Sequence, residues 1–456
     1  MEKILNYIAE GKERFLSELI EFLKYPSISS LSENKPDMLA CANWLVKHIK
    51  HIGIEDARLL ETEGNPAVFA QWMGNENAPT LLIYGHYDVQ PVDPLDLWET
   101  DPFTPIIKNN KIIGRGTADD KGQLFCHLKA LESFFKINGK PPVNIKLFFE
   151  GDEESSGDYM EEFIKKNKDL LAADYVLISD TEWLNDDSPS ICYGLRGIAY
   201  FEIKLTGPNR DLHSGSYGGV VDNPANVLCW LITQLKDKYG RVTIPNFYDK
   251  VVPLSKEERE SFKKLPFKEE DYCEELGVDA LNGEFGYTAL ERVWGRPALD
   301  VNGMISGFTQ EGAKTVLPTY ASAKFSTRLV ANQNAQEIAE AVEKYVRFLT
   351  PPTMKLEFTC HSIGSPVLVS KDNPAISACF EAMKEAFGKE PVFTREGGSI
   401  PIVENFQSTL GTPPALMGFG LPGDNIHSPN ENFDLNNFYG GIKASALFIE
   451  KLLKHI

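Results

Sequence analysis

Acidic residues and histidines follow four apolar runs in the sequence. The runs span residues 80–84, 143–149, 173–178 and 415–419. They lead into Gly85-His86-Tyr87-Asp88, Asp152-Glu153-Glu154, Ser179-Asp180 and a segment that ends at His427. Carboxylate oxygens and imidazole nitrogens bind divalent cations such as Zn²⁺ and Mn²⁺. These endings therefore predict a metal site, provided that the fold brings them together.

A fifth stretch, residues 114–122, reads Gly-Arg-Gly-Thr-Ala-Asp-Asp-Lys-Gly. Its glycines permit a tight loop, and Asp119 or Asp120 could cap the helix that follows. A role as helix cap explains one of these two aspartates but does not easily explain both. A site with two metal ions about 3.5–4 Å apart needs a carboxylate that both ions share. The set as a whole suits such a two-metal site.

The stretch at residues 150–157, Glu-Gly-Asp-Glu-Glu-Ser-Ser-Gly, places four carboxylates within five positions. Crowded anions of this kind are stable together when cations lie among them. A carboxylate that is close to the metals but does not bind them can accept a proton from an attacking water. The four acids therefore need not have the same function.

The four apolar runs also predict the elements that must position these residues. Continuous apolar runs are typical of strands covered on both faces, and hence of an α/β sheet with flanking helices. Helical spacing of apolar residues occurs at 122–135 and 373–387. Ligands of open α/β sheets gather beyond the carboxyl ends of the strands, where the acids and histidines are expected.

The middle of the chain has a different pattern. Residues 198–205 and 321–329 alternate between apolar and polar side chains, which is typical of strands with one exposed face. Helical stretches near 224–237 and 335–349 accompany them. We therefore expect a compact α+β unit over residues 196–364.

Composition limits the class of protein. The 456 residues are 42% hydrophobic, enough for two or three globular domains, and no apolar run reaches 18 residues. A net charge of −19 argues against nucleic acid or an anionic membrane as a partner. The seven scattered cysteines contain no Cys-x-x-Cys pair. Reduced thiols and the lack of a signal-peptide pattern predict a cytoplasmic protein.

Seven motifs occur in the order found in a known family. They are GHYDVQPV, GRGTADDKG, EGDEES, LISDTEW, RDLHSGSYGG, REGGSIP and IHSPNE. The chain resembles the dinuclear metallohydrolases of the aminoacylase/carboxypeptidase/dipeptidase group. It is most similar to the branch that contains cytosolic non-specific dipeptidase and carnosinase. The resemblance covers nearly the whole chain, with one departure at Asp152, which could perturb the proton affinity of Glu153.

The resemblance implies a fold and a ligand set. The fold is a zinc-exopeptidase-like catalytic domain, residues 1–195 and 365–456, whose mixed β-sheet is flanked by helices. An α+β two-layer lid and dimerisation domain, residues 196–364, interrupts it. The implied ligands of two divalent ions, Zn²⁺ or Mn²⁺ with Co²⁺ possible, are His86 and Asp180 for one ion, Glu154 and His427 for the other, and Asp119 for both.

The resemblance also assigns catalytic and substrate-binding roles. Asp88 would orient His86, Glu153 would be the general base, and the Asp119–Asp120 peptide is expected to be cis. His213 would reach the active site of the partner subunit in a homodimer and stabilise the oxyanion. The remaining substrate-binding residues would be Asn302 near the oxyanion, Thr315, Arg328 on the substrate's C-terminal carboxylate, and Ser399 lining the pocket.

The implied activity is hydrolysis of dipeptides or very short peptides by a water that bridges the metals. One alternative is an N-acyl amino acid amidohydrolase that uses the same site, and another is a non-catalytic metal-binding protein. Each residue also has a structural alternative. His86 and Asp88 could be a structural pair, Asp119 a helix cap, and Arg328 the partner of a surface acid. His213 could be a surface loop histidine, and Ser399 could satisfy a glycine-rich turn.

Overall fold

The computed structural model describes residues 1–155, 159–398 and 400–455, with only the backbone at Pro401. The strands within these residues are β1 (Asp56–Leu60), β2 (Ala67–Trp72), β3 (Thr80–His86), β4 (Ile106–Lys108), β5 (Lys111–Ile113), β6 (Asn144–Glu150), β7 (Tyr175–Ile178), β8 (Ser190–Leu195), β9 (Gly197–Thr206), β10 (Leu212–His213), β11 (Ala298–Ser306), β12 (Val316–Leu317), β13 (Tyr320–Leu329), β14 (Lys355–Gly364), β15 (Val367–Leu368), β16 (Val392–Glu396), β17 (Ala415–Leu416) and β18 (Asn432–Asp434).

The α-helices within the same residues are α1 (Glu2–Glu10), α2 (Lys12–Leu23), α3 (Lys35–Ile52), α4 (Lys121–Asn138), α5 (Met160–Lys166), α6 (Lys168–Leu171), α7 (Ser214–Tyr217), α8 (Pro224–Thr233), α9 (Lys256–Lys263), α10 (Glu269–Leu276), α11 (Ala289–Gly295), α12 (Ala335–Leu349), α13 (Pro374–Phe387), α14 (Pro401–Asn405) and α15 (Leu435–Leu452). None of the described helices is both long and apolar enough to cross a membrane.

One compact unit comprises Met1–Tyr193, Val369–Thr394 and Asn405–Ile456. Its sheet has the strand order β1-β2-β6-β3-β7-β17-β8. The four central strands, β6, β3, β7 and β17, are parallel to one another, whereas the flanking pairs are antiparallel. Strands β3 and β6 are buried along nearly their whole length, which accounts for their continuous apolar sequences.

Helices cover both faces of this sheet. Gly85 of β3 lies against α4, since a Cβ at this position would be 3.0 Å from Leu124 Cδ1. The preceding residue, Tyr84, points to the opposite face, where its ring packs edge-on against Phe406 with centroids 5.6 Å apart. Because both faces are covered, the edge of the sheet is where the unit can place polar groups.

Buried ion pairs join the N-terminal helices to α4. Glu132 of α4 accepts hydrogen bonds from Tyr7 at 2.8 Å, Arg14 at 2.6 Å and Lys129 at 2.6 Å. The fully buried Lys129 also donates to Glu18 of α2. This network compensates each buried charge with an opposite one, as burial requires.

The second compact unit comprises Gly194–Leu368 and Arg395–Glu404. Its antiparallel sheet has the strand order β11-β13-β9-β14. Side chains of β9 alternate strictly between buried and partly exposed, and the buried ones pack against apolar residues of α8 and α12, among them Leu228 and Val342. The unit is thus a sheet with helices on one face.

The predicted fold class, a mixed α/β sheet flanked by helices and interrupted by a two-layer α+β unit, is confirmed. The predicted domain limits at 195/196 and 364/365 lie close to the limits of the units, but residues 395–404 group with the second unit. The catalytic and lid roles of the two parts stay predictions.

The predicted strand at 415–419 is much shorter than expected, since β17 ends at Leu416. At Gly418 the chain passes so close to Thr181 that a Cβ would lie 1.9 Å from the Thr181 carbonyl oxygen. A side chain at this position would clash with the Thr181 backbone, so only glycine fits.

Candidate dinuclear metal centre

The predicted strand endings meet at one edge of the first unit's sheet. His86, the last residue of β3, lies opposite Glu150, the last residue of β6. On the other side of β3, Tyr84 pairs with Ile178 at the end of β7. All three strands are parallel, so their carboxyl ends share an edge. The loops that follow carry Glu153, Glu154 and Asp180 to the same place.

Asp119 lies between two imidazole rings. His86 Nε2 is 3.0 Å from Asp119 Oδ1, and His427 Nε2 is 2.9 Å from Asp119 Oδ2. Each oxygen of the carboxylate thus faces a different histidine. This is the geometry that a carboxylate shared between two cations requires.

Two groups of potential ligands share Asp119. One consists of His86, Asp119 and Asp180, and the other of Asp119, Glu154 and His427; the ligand atoms within each group lie within 4.8 Å of one another. Asp180 Oδ2 is 3.9 Å from His86 Nε2, and Glu154 Oε1 is 3.3 Å from His427 Nε2. The structure thus brings together all five residues predicted as ligands.

The electrostatics of these residues favour cations. Burial raises the pKa of the Asp180 and Glu154 carboxyl groups. Interactions with Asp119 and Glu154 raise the pKa of His427 to about 10, which reflects the concentration of negative charge around this ring. Glu154 Oε1 is buried and accepts no hydrogen bond. The oxygen and nitrogen donors, with one shared carboxylate, fit two divalent ions.

A third group of ligand-type side chains is paired with basic residues of the protein. Glu18, His48 and Glu132 also lie close enough together to hold an ion. However, the ammonium of Lys129 already lies between the two carboxylates, and Arg14 binds both of them as well. This cluster therefore contains its own cations. In contrast, every ion pair of the five site residues within the described chain joins two members of the site or His86 to Asp88.

Glu153 lies beside the ligand groups without belonging to either. Burial raises the pKa of its carboxyl group to about 7; His86 opposes the shift, and Glu154 and Asp119 add to it. A carboxylate with a raised proton affinity, next to potential metal ligands, is suited to accept a proton. Its role as general base stays a prediction.

Asp88 connects two of the strand endings. His86 Nδ1 lies 3.4 Å from Asp88 Oδ1 and 3.1 Å from the Asp88 carbonyl oxygen. The same carboxylate accepts hydrogen bonds from the backbone N–H groups of Glu153 at 3.3 Å and Glu154 at 3.0 Å. Asp88 therefore contacts one imidazole and also holds the turn that carries the two glutamates; its role in orienting His86 stays a prediction.

The loop before α4 contains the expected cis peptide between Asp119 and Asp120. Asp120 is the N-cap residue of α4, but its side chain makes no capping hydrogen bond; it accepts one from the His86 backbone N–H at 3.2 Å. The Asp119 carboxylate faces the two histidines instead. Helix capping therefore does not account for the pair of aspartates.

Three residues contact the site in ways that the sequence did not predict. Asp120 supports His86, and Gln90 donates to Glu154 Oε2 at 2.6 Å. Glu431 accepts a hydrogen bond from the Asp119 backbone N–H at 3.1 Å. Gln90 belongs to the motif GHYDVQPV, and Glu431 belongs to the motif IHSPNE. Their position in these motifs was the sequence feature that could have identified them.

The predicted substrate-binding residues lie in the second unit or outside the described residues. His213 is exposed at the end of β10, and its Nδ1 accepts a hydrogen bond from Gly215 N at 3.1 Å. Thr315 accepts one from Ser214 N at 3.1 Å through its carbonyl oxygen. Asn302 is exposed at a bulge in β11, opposite β13. Ser399 lies outside the described residues.

Arg328 of β13 lies near a second guanidinium. Burial lowers the pKa of Arg328, and burial together with the charge of Arg328 lowers the pKa of Arg196 to about 10. Arg196 also donates a hydrogen bond from Nε to the Gly397 carbonyl oxygen at 3.0 Å. The binding role of Arg328 stays a prediction.

Comparison with known proteins places the chain in a family. Residues 82–451 match the model of peptidase family M20/M25/M40. The chain is 33% identical to the Cys-Gly metallodipeptidase dug1 of Schizosaccharomyces pombe, over 99% of this chain and 98% of that protein. It is 32% identical to the human β-Ala-His dipeptidase, over 100% and 93% of the two chains.

A solved structure shows the same relation. The M20 family metallo-carboxypeptidase Sso-CP2 of Sulfolobus solfataricus superposes with a TM-score of 0.87 at 35% identity, over 96% of this chain and 99% of that one. The family that the motifs predicted is confirmed: the chain belongs to the M20/M25/M40 peptidases.

Proposed function

We infer that the protein is a metal-dependent dipeptidase, which hydrolyses the peptide bond of dipeptides or very short peptides. The observation that carries this inference is the pair of ligand groups that share Asp119, with Glu153 beside them. Membership of a peptidase family supports it, as do two nearly full-length relatives that are named as dipeptidases.

We propose that His86 and Asp180 bind one divalent ion, Glu154 and His427 a second, and Asp119 both. When bound, such ions supply Lewis acidity, which lowers the pKa of a water molecule and polarises the scissile carbonyl. Zn²⁺ and Mn²⁺ both accept carboxylate and imidazole ligands, and Co²⁺ does so as well. The ligand set therefore suits any of these three ions.

The proposed chemical roles of the protein follow from the contacts at the site. Glu153 accepts a proton from the attacking water and then donates it to the leaving amine, because its carboxylate is close to both ligand groups yet outside them. Asp88 keeps Glu153 in place through the backbone of the turn and holds the His86 ring with Nε2 towards Asp119.

We propose that the second unit acts as a lid that binds the substrate through His213, Asn302, Thr315 and Arg328, and that Ser399, which lies outside the described residues, lines the pocket. Arg328, with Arg196 near it, would bind the substrate's C-terminal carboxylate. His213 would stabilise the oxyanion, and its exposure leaves the ring accessible to a second molecule. In this proposal His213 serves the active site of the partner subunit.

The surface of the second unit supports a homodimer. Strand β11 is at the edge of its sheet, and it exposes Val301, Met304 and Ile305 by 39%, 49% and 55%. Exposed apolar edge strands tend to pair with another chain. We propose that a second copy of the protein covers this edge.

We also propose a cytoplasmic location. None of the seven cysteines, all of which lie within the described residues, forms a disulfide, which is typical of proteins in a reducing compartment.

A substrate panel tests the proposed activity. The metal-free protein would be loaded with Zn²⁺, Mn²⁺ or Co²⁺ and assayed on Cys-Gly, β-Ala-His, tripeptides and N-acetyl amino acids. We expect hydrolysis of dipeptides that disappears with a chelator and returns when metal is added back.

Three results of this assay would contradict the proposed function. Dipeptide hydrolysis that survives complete removal of metal would exclude the proposed mechanism. Preference for N-acetyl amino acids would instead identify an amidohydrolase that uses the same site. Stoichiometric metal binding without turnover of any amide would favour a non-catalytic metal-binding protein.

A further inference from the structure

Glu431 is a fully buried carboxylate surrounded by donors from one loop. It accepts hydrogen bonds from Arg115 Nη1, Gly116 N and Ala118 N, each at 2.9 Å, and from Asp119 N at 3.1 Å. Its own backbone carbonyl accepts a further bond from Gly114 N at 2.9 Å. The loop that carries Asp119 therefore wraps around this single side chain.

The two carboxylate oxygens of Glu431 divide the donors between them. Oε2 accepts from Arg115 and Gly116, whereas Oε1 accepts from Ala118 and Asp119. Because charge-assisted hydrogen bonds are short and roughly twice as strong as neutral ones, the loop is fixed at both ends. A displacement of Oε1 would move the backbone at Asp119, and a displacement of Oε2 would move the backbone at Gly116.

The loop conformation depends on a close approach. Gly116 has φ +81°, and a Cβ there would lie 2.7 Å from Val89 Cγ1. Arg115 is held in turn by a hydrogen bond to the Pro91 carbonyl oxygen at 2.9 Å, and its guanidinium lies 5.3 Å from the centre of the Trp98 ring. The positive charge that balances Glu431 is thus itself fixed.

The segment that provides Glu431 also provides His427. His427 Nε2 contacts Asp119 Oδ2 at 2.9 Å, and Glu431, four residues later, binds the Asp119 N–H. One short segment thus reaches Asp119 at its side chain and at its backbone. The position of the shared carboxylate and the position of one histidine ligand are set by the same piece of chain.

We propose that Glu431 is a positioning residue that fixes Asp119 between the two metal positions and thereby sets the affinity for both ions. The proposal rests on the proposed function of the site, since it concerns the carboxylate shared by the ligand groups. Glu431 itself touches neither ligand oxygen of Asp119 and acts through the backbone.

The variant Glu431→Gln tests this role. It keeps the side-chain size but replaces one acceptor oxygen with an NH₂ group, so two of the four hydrogen bonds are lost. The matched control is Glu132→Gln. Glu132 is another buried carboxylate with basic partners, Arg14 and Lys129, but it belongs to neither ligand group that contains Asp119. Metal binding to the metal-free chains would be measured by isothermal titration with Mn²⁺ or Zn²⁺.

We expect both variants to lower the melting temperature of the metal-free protein, because both disrupt a buried ion pair. Only Glu431→Gln should weaken metal binding, by roughly 10- to 100-fold, the usual effect of losing a group that orients a ligand. Activity of Glu431→Gln should recover at high metal concentration with an unchanged KM for the dipeptide. Wild-type metal affinity in folded Glu431→Gln would overturn the proposal.

If Glu431→Gln fails to fold, Glu431→Asp provides the test, since it retains the charge but withdraws the carboxylate by one methylene group. We expect weakened metal binding in this variant, and wild-type affinity would overturn the proposal equally. A wild-type protein that binds no metal would refute the proposed function itself, which is a separate outcome from an unaffected Glu431 variant.

Discussion

Adjacent carboxylates at the site have different surroundings, and the functions proposed for them differ accordingly. Glu154 faces His427 with Oε1 and accepts a hydrogen bond from Gln90 at Oε2. The carboxyl group of Glu153 belongs to neither ligand group, and its backbone N–H is bound by Asp88. One position along the chain therefore separates a candidate ligand from a candidate base.

Replacement of Glu153 by Gln tests this division of roles. The amide cannot accept a proton, so we expect kcat on a dipeptide to fall roughly 10²–10⁴-fold, the usual contribution of a general base. Metal content should stay at the wild-type value, because Glu153 is not among the ligands. Steady-state kinetics and elemental analysis of the same preparation would measure both quantities.

The control for this variant is Glu161→Gln, an exposed glutamate of α5, which should keep wild-type kcat. Loss of bound metal in Glu153→Gln would identify Glu153 as a ligand instead of a base. Undiminished turnover would exclude it from proton transfer altogether.

Asp152 shows how far sequence reasoning reaches at this scale. The sequence suggested that it perturbs the proton affinity of Glu153. In the structure the main charged neighbours of Glu153 are His86, Glu154, Asp119 and Asp88. Asp152 instead accepts hydrogen bonds from Asn65 N and Nδ2, both at 2.6 Å, and from Tyr159. Asp152 thus anchors the turn, and its effect on the proton affinity of Glu153 stays a prediction.

At the scale of secondary structure, the strand endings were predictable and their supports were not. Apolar runs identify buried strands, and parallel strands share an edge, so His86, Glu154 and Asp180 could be expected to meet. Glu431 could not be placed this way, because its partners in the loop before α4 are more than 300 residues away. The residue type alone does not show whether a glutamate is buried or exposed.

The packing of α2 and α3 against α4 provides a pH-dependent contribution to stability. His48 of α3 stacks on Trp44, with centroids 4.7 Å apart, and lies 3.9 Å from Glu18 Oε2. Burial lowers the pKa of His48 to about 3; Lys129, His51 and Arg14 add to the shift, and Glu132 opposes it. The folded protein therefore holds this imidazole neutral.

The sign of the effect follows from linkage. The unfolded chain binds a proton at His48 below a pKa of about 6.5, whereas the folded chain does so only near pH 3. Stability is therefore lost as the pH falls below about 6.5, by about 2 kcal/mol at pH 5 from this residue. The variant His48→Phe retains the aromatic stacking and cannot be protonated.

We expect the free energy of unfolding of the metal-free protein to fall less between pH 7 and pH 5 in His48→Phe than in the wild type. Urea denaturation at the two pH values would measure the difference. Equal losses in the two proteins would show that His48 does not oppose protonation.

At the scale of the whole molecule, the role proposed for His213 implies an active site built from two chains. The first unit holds the candidate ligands and the base, and the second unit holds the exposed His213 and the apolar edge of β11. A residue that serves the partner's site makes dimerisation a condition for activity. This property can be tested by complementation, because each chain would supply a different part of each site.

Chains with Glu153→Gln and chains with His213→Ala should each be nearly inactive alone. In a mixed dimer, one site would combine an intact Glu153 from one chain with an intact His213 from the other. Random subunit exchange in a two-fold dimer makes half of the dimers mixed, so about a quarter of wild-type activity should return. The control, a mixture of His213→Ala with the Glu153→Gln/His213→Ala double variant, contains no intact His213 and should stay inactive. Absence of recovery after mass spectrometry has verified mixed dimers would show that His213 does not act across the interface, and full activity of His213→Ala alone would show that it has no catalytic role.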